Sequence, residues 1–203
     1  MKNEDARKIG LSDQLSTAYI CMPRPKLDCG SFSVEAVQPR HIESIRQWRN
    51  AQMDILRQST AITPEQQEVY FREYIWPDMR SPQPKNLLLA YMENNDFIGY
   101  GGLVHIAWEH RRAEVSFLLE TKLAGTHDDY NRYFPRFLKL MKILAFDDLG
   151  FERLYTETYA VREQYILALE NMSFRCEGVL KHHVCINDQP VDSFIHGCLR
   201  SYD

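Results

Sequence analysis

The sequence predicts a mixed α/β fold, an α+β arrangement in which helices flank a central mixed sheet. Two observations carry the prediction. Strand-like alternation and helical periodicity succeed one another from residue 31 almost to the end of the chain. Their order is one strand, two helices, a three-strand meander, then a helix, a strand, a helix and two closing strands. A third supports it: 203 residues with 44% hydrophobic composition suffice for one well-packed domain.

The elements follow in order. Residues 1–30 are polar, broken by Pro23 and Pro25, and without sustained period; they read as an extension that drapes over the domain or stays mobile. The domain proper spans 31–203. "SFSVEAV" alternates as a first strand, and Pro39 opens an amphipathic helix through Ile42, Ile45 and Trp48. "TPEQ" announces a second helix, with Thr63 as N-cap, Pro64 at its first position and Gln66 completing a capping box. That helix is expected to bury Val69, Tyr70, Tyr74 or their neighbours and to stop at Pro77. "NLLLAYM", the hairpin "ENND", "FIGYGGLVHI" and "AEVSFLLE" form the meander. "GYGG" is expected to be a bulge or a close backbone approach, since no helix follows it. Phe134, Phe137, Leu138, Met141, Leu144 and Ala145 then recur at helical spacing, from a start near 129–135 to Leu149, with Gly150 as the C-terminal stop. "RLYTET" is a strand, "VREQYILALENM" a helix, and two strands turned at "NDQP" close the chain.

Bulk properties exclude several functions. Net charge is −4, and the lysines and arginines are scattered, so no footprint for nucleic acid is present. No apolar run approaches the ~20 residues that span a bilayer, so no membrane role is expected. Five cysteines without a CxxC pair point to a reduced, cytoplasmic protein, and neither they nor the histidines have metal-site spacing. His182 and His183 are adjacent in a strand and face opposite ways.

Three pieces, "FIGYGGLVHI…RRAEVSFLLE", "FLKLMKILAFDDLGFERLYTETYA" and "ALENMSFRCEGVLKHHVCINDQPVDSFIHGCL", together resemble the GNAT acetyltransferase superfamily. The last piece is similar to the family's helix, "GF-x-x-EG" turn and acid-bearing final strand, with Ser173 at the usual Gly and Asp192 as the acid. "QWRN" and the following "ITPEQQEVYF" helix resemble the branch that acetylates nucleotide-linked amino sugars in the pseudaminic acid pathway, and are close in pattern to ribosomal-protein N-terminal acetyltransferases. The resemblance implies a sheet whose "AEVSFLLE" and "RLYTET" strands splay apart to admit acetyl-CoA as cosubstrate. It also implies a small-molecule or nucleotide-sugar acceptor, and a possible homodimer. Backbone at Phe117, Leu118 and Leu119 would hold the pantetheine arm, Gly125 and Thr126 would lie in the pyrophosphate loop, and Arg162 would sit beside Val161, where a cofactor-contacting Asn aligns. Of the family's Gly-x-Gly only Gly125 stands here, and Asp128 and Asp129 cap the helix where an anion would bind.

Acetyl transfer needs a neutral amine, a polarised thioester and a proton donor for the thiolate. Glu114 is the nominated base; period two places it with Ser116 and Leu118 on one strand face, and an ion pair with Arg111 or Arg112 is its structural alternative. The family's proton-donating Tyr aligns with Leu169, and Tyr165, one helical turn earlier, is nominated in its place. Arg49, Asn50 and Arg57 are acceptor-side residues by resemblance, arginine suiting a diphosphate. His105 would approach the acceptor from its strand. The sequence thus reads as a direct-transfer N-acetyltransferase of a nucleotide-linked amino sugar. A protein N-terminus, a small-molecule amine, or a binding module on the same fold are the alternatives.

Overall fold

The computed structural model describes residues 17–125, 127–161 and 163–202. Its strands are β1 (Lys26–Cys29), β2 (Phe32–Ala36), β3 (Leu87–Glu93), β4 (Asp96–Ala107), β5 (Arg112–Leu119), β6 (Arg153–Tyr159), β7 (Arg175–Ile186) and β8 (Gln189–Leu199). They form one sheet in the order β1-β2-β3-β4-β5-β6-β8-β7, with β5–β6 the parallel pair and every other neighbour antiparallel. Helices α1 (Ile42–Ala51), α2 (Pro64–Tyr70) and α3 (Trp76–Met79) precede β3, α4 (His127–Lys142) joins β5 to β6, and α5 (Glu163–Asn171) follows β6. Among the described residues no helix is long and apolar enough to cross a membrane. None of the five cysteines forms a disulfide.

Strand alternation divides the core into two layers. Leu87, Leu89 and Tyr91 of β3, with Val115 and Phe117 of β5, pack against Phe134, Phe137 and Met141 of α4 and Leu169 of α5. The intervening Leu88, Ala90 and Met92, with Leu118, pack against Ile45 and Trp48 of α1 and Phe71 and Ile75. Glu114 and Ser116 alternate with Val115 and Phe117, so they face the α1–α2 layer. The hairpin turns have the residues they require: Asn94 and Asn95, and Asn187 and Asp188, all take positive φ. Gly101 and Gly102 let backbones meet, for a Cβ would lie 2.1 Å from the Ser116 carbonyl oxygen and 1.8 Å from that of Leu87.

Three expectations are corrected. The strand at Lys26–Cys29 lies within the segment assigned to the extension, hairpinned onto β2, and Tyr19 is fully buried with its hydroxyl accepting the Leu88 N–H. In the second helical segment Val69, Tyr70 and Tyr74 are exposed, while Gln67, Phe71, Ile75 and Met79 are buried. A π-helical turn over Phe71–Ile75 separates α2 from α3, Pro77 falls in the first turn of α3 directly after it, and the chain stays helical to Met79. The long helix begins at His127, places Pro135 inside it, and ends in a second π-helical segment, Ile143–Asp148.

Candidate active site

The site forms where the sheet opens. Parallel pairing of β5 with β6 covers Arg112↔Arg153, Ala113↔Leu154 and Glu114↔Tyr155, and goes no further. Beyond Glu114 the two strands separate, and a cavity of about 260 Å³ lies between them, walled by Ser116 and Phe117 on one side and Thr158, Tyr159 and Tyr165 on the other. A second cavity of about 590 Å³ adjoins it under α1 and α2. Arg49, Arg57, Tyr70, Val104 and Ser116 line both, so the two spaces share one wall.

Arg49 of α1, Tyr70 of α2, Val104 of β4 and Ser116 of β5 belong to regular elements, while Arg57 comes from the chain between α1 and α2. The Asn50 amide donates to the Ile62 carbonyl at 2.9 Å, and its oxygen accepts from the Ile62 N–H at 2.8 Å and the Gln58 amide at 2.9 Å. Asn50, an expected acceptor-side residue, clasps this loop. Arg49 donates to Gln58 Oε1 at 3.0 Å and to the Tyr100 hydroxyl at 2.9 Å, with its guanidinium at the cavity wall. At the other end of the loop, Thr63 and Gln66 form the reciprocal cap that starts α2.

The clasped loop carries Arg57 onto two carboxylates. Its Nη2 donates to Glu114 Oε1 at 3.0 Å and to Glu157 Oε2 at 2.6 Å. The other oxygen of Glu114 bonds His105 Nδ1 at 2.7 Å, and His183 Nε2 stands 3.5 Å from Glu157. Neither Arg111 nor Arg112 is the Glu114 partner: Arg111 pairs with Glu152 at 3.1 Å and Arg112 lies over the Tyr155 ring. Burial works against the charge on Arg57, but Glu114 and Glu157 outweigh it and raise its pKa. Burial also raises the Tyr159 hydroxyl above the usual tyrosine value, with Arg57 pulling the other way.

Of the residues singled out in the sequence, Arg57, His105 and Glu114 converge here from three separate stretches. Phe117, Leu118 and Leu119 lie on β5 beyond its last pair with β6, and the Leu119 carbonyl accepts from Gln52 at 3.0 Å. Tyr165 lines the smaller cavity, its ring stacked on Phe134 at 4.1 Å. Gly125 is exposed in the loop before α4; Thr126 and Arg162 lie outside the described residues, as do the side chains of Asp128 and Asp129. Leu169 is fully buried in the core, and Asp192 braces the β7–β8 hairpin through Lys181 and the His182 N–H. Sequence reasoning missed Glu157, Tyr100 and Gln58. Alternation in "RLYTETY" carries the signal for Glu157, since it puts Tyr155, Glu157 and Tyr159 on the Glu114 side of the sheet.

Residues 34–195 match the acetyltransferase (GNAT) domain family, and the chain belongs to that family. Its solved neighbours include a spermidine N-acetyltransferase from Vibrio cholerae in complex with CoA and spermine, 17% identical, with 86% of this chain and 98% of that one covered at a TM-score of 0.73. A dodecameric structure of spermidine N-acetyltransferase from the same organism, in an intermediate state, is 16% identical over 85% of this chain and 96% of that one, at a TM-score of 0.71. A comparison with curated proteins gives no match. The protein is therefore an N-acetyltransferase using acetyl-CoA, which supplies the activated acyl group. The opening between β5 and β6 fits that cosubstrate: it offers unpaired strand backbone, an apolar wall at Phe117, and the buried Thr158 hydroxyl, which has no hydrogen-bond partner.

Proposed function

We propose that the enzyme acetylates the primary amine of a small, hydroxyl-rich acceptor bearing an anionic group, a nucleotide-linked amino sugar being the acceptor class. The lining of the larger cavity carries the reading. It contains Arg49 and Arg57, amides and hydroxyls from Gln58, Ser59, Thr60 and Gln66, the phenols of Tyr70 and Tyr100, and no carboxylate among the described residues. Arginine forks grip phosphate oxygens, and the amides and hydroxyls match sugar hydroxyls. Glu114 lines the smaller cavity and is paired with Arg57, which lines both, so an amine held in the larger cavity would approach it beside an acyl group held in the smaller. Tyr165 lines the smaller cavity, which supports it as the group that protonates the departing thiolate in this reading.

A small cationic amine is the second reading, favoured by the carboxylate pair Glu114 and Glu157. Arg57 already neutralises part of that pair, which places the polyamine behind the sugar. The test is a competition: purified enzyme and acetyl-CoA with equimolar UDP-linked amino sugar, spermidine and an unblocked peptide, products read by mass spectrometry. Acetyl transfer chiefly to the sugar nucleotide is expected. Preference for spermidine or the peptide overturns the proposed acceptor.

A further inference from the structure

We infer that His105, positioned by Glu114, takes the proton of the attacking amine. The inference rests on this cleft being the acceptor site but on no particular acceptor. Alternation along β4 would put residue 105 on the face opposite Val104, which packs with the α1–α2 layer. The strand bulges instead: its pairing with β5 runs to Val104↔Glu114 and resumes only at Ala107↔Arg112. His105 takes φ +48 there, a left-handed conformation uncommon outside glycine. The bulge turns its ring back to Glu114, and bulges beside active sites commonly re-aim a side chain in this way.

The hydrogen bond then fixes which nitrogen is the base. A carboxylate only accepts, so at the 2.7 Å contact with Glu114 the hydrogen belongs to His105 Nδ1, and Nε2 of the neutral ring carries the lone pair. Arg57 holds the second oxygen of Glu114, which keeps the carboxylate from turning away. The imidazole itself is 61% exposed and lines the smaller cavity, whereas Glu114 is 11% exposed with both oxygens engaged. The structure thus makes Glu114 the positioning residue and His105 Nε2 the proton acceptor.

The step balances without further reagents. As the amine nitrogen bonds the acyl carbon, His105 Nε2 takes one N–H proton; the C–S bond breaks, the thiolate leaves with its electron pair and receives one proton from Tyr165. Solvent takes the proton from the imidazolium and restores that of Tyr165.

The left-handed backbone allows a clean variant, because His105→Gly suits φ +48 better than histidine does. Its kcat should fall by about 100-fold with circular dichroism and acetyl-CoA binding unchanged, and added imidazole should restore at least about tenfold, with more basic azoles restoring more. The assay uses whichever of the sugar nucleotide, spermidine or peptide the wild type acetylates, so a wrong acceptor and a wrong base give different results. An acceptor-free arm reads ring-nitrogen shifts of His105 in ¹⁵N-labelled enzyme, where the Nδ1–H tautomer is expected. Unreduced kcat, a loss that azoles leave unrestored, or an Nε2–H tautomer overturns the assignment.

Discussion

Ser173 stands before Phe174 with φ +65, the conformation for which the family motif uses glycine. A left-handed residue with a side chain costs about 1–2 kcal/mol, and glycine regains most of it less its own unfolded-state entropy. Ser173→Gly should therefore stabilise the protein by about 1 kcal/mol and raise Tm by about 2–4 °C, as calorimetry can measure. At this scale the sequence was informative about chemistry and silent about partners. Glu114 and His105 could be singled out by residue type and strand position, and Arg57 by the family resemblance. Their meeting depends on a bulge and a clasped loop that leave no periodic signature.

Among the elements, the loop between α1 and α2 decides the acceptor cavity, and Asn50 decides the loop. Asn50→Ala removes its bonds to Ile62 and Gln58 and frees the chain carrying Arg57. The acceptor KM should rise about tenfold or more while acetyl-CoA affinity holds, since the Phe117 side of the smaller cavity is untouched; steady-state kinetics with each substrate varied separates the two. The helix that follows shows why its buried face was misread. Gln67, Phe71, Ile75 and Met79 recur every fourth residue, a spacing that needs the wide turn at Phe71–Ile75, and the series begins with a polar residue whose amide donates to the Ile42 carbonyl. Hydrophobicity alone could select Val69 and Tyr70 instead. The strand Lys26–Cys29 was hidden for another reason: it is four residues long, follows two prolines, and buries only Leu27 completely. The capped start of α2, the Asn94–Asn95 hairpin and the long amphipathic α4 were legible because caps, turn residues and period act locally.

For the molecule as a whole, acid stability should depend on His41. Its ring is buried and stacked on Phe97, Nδ1 accepts the Gln38 N–H at 3.1 Å, and Arg40 lies beside Nε2. Burial, then the Arg40 charge, lower its pKa to about 4. The unfolded chain thus binds a proton that the folded one refuses: stability is full above about pH 6.5, falls as pH drops toward 4, and levels below it, a loss of up to about 3 kcal/mol. Urea titrations from pH 7 to 4 should show that slope, and His41→Gln should flatten it.

The sheet also carries a seam. Its two parts, β1–β5 and β6–β8, are joined by three residue pairs, and past them the side chains of β5 serve the two cores while its edge faces the gap. Whatever is gripped along that edge is gripped by peptide groups, which every amino acid supplies alike. An alanine scan there would register lost packing and leave the grip itself unseen. Such positions are free to drift in identity while the backbone keeps its course, which is how a fold can be shared so fully with chains only 17% identical.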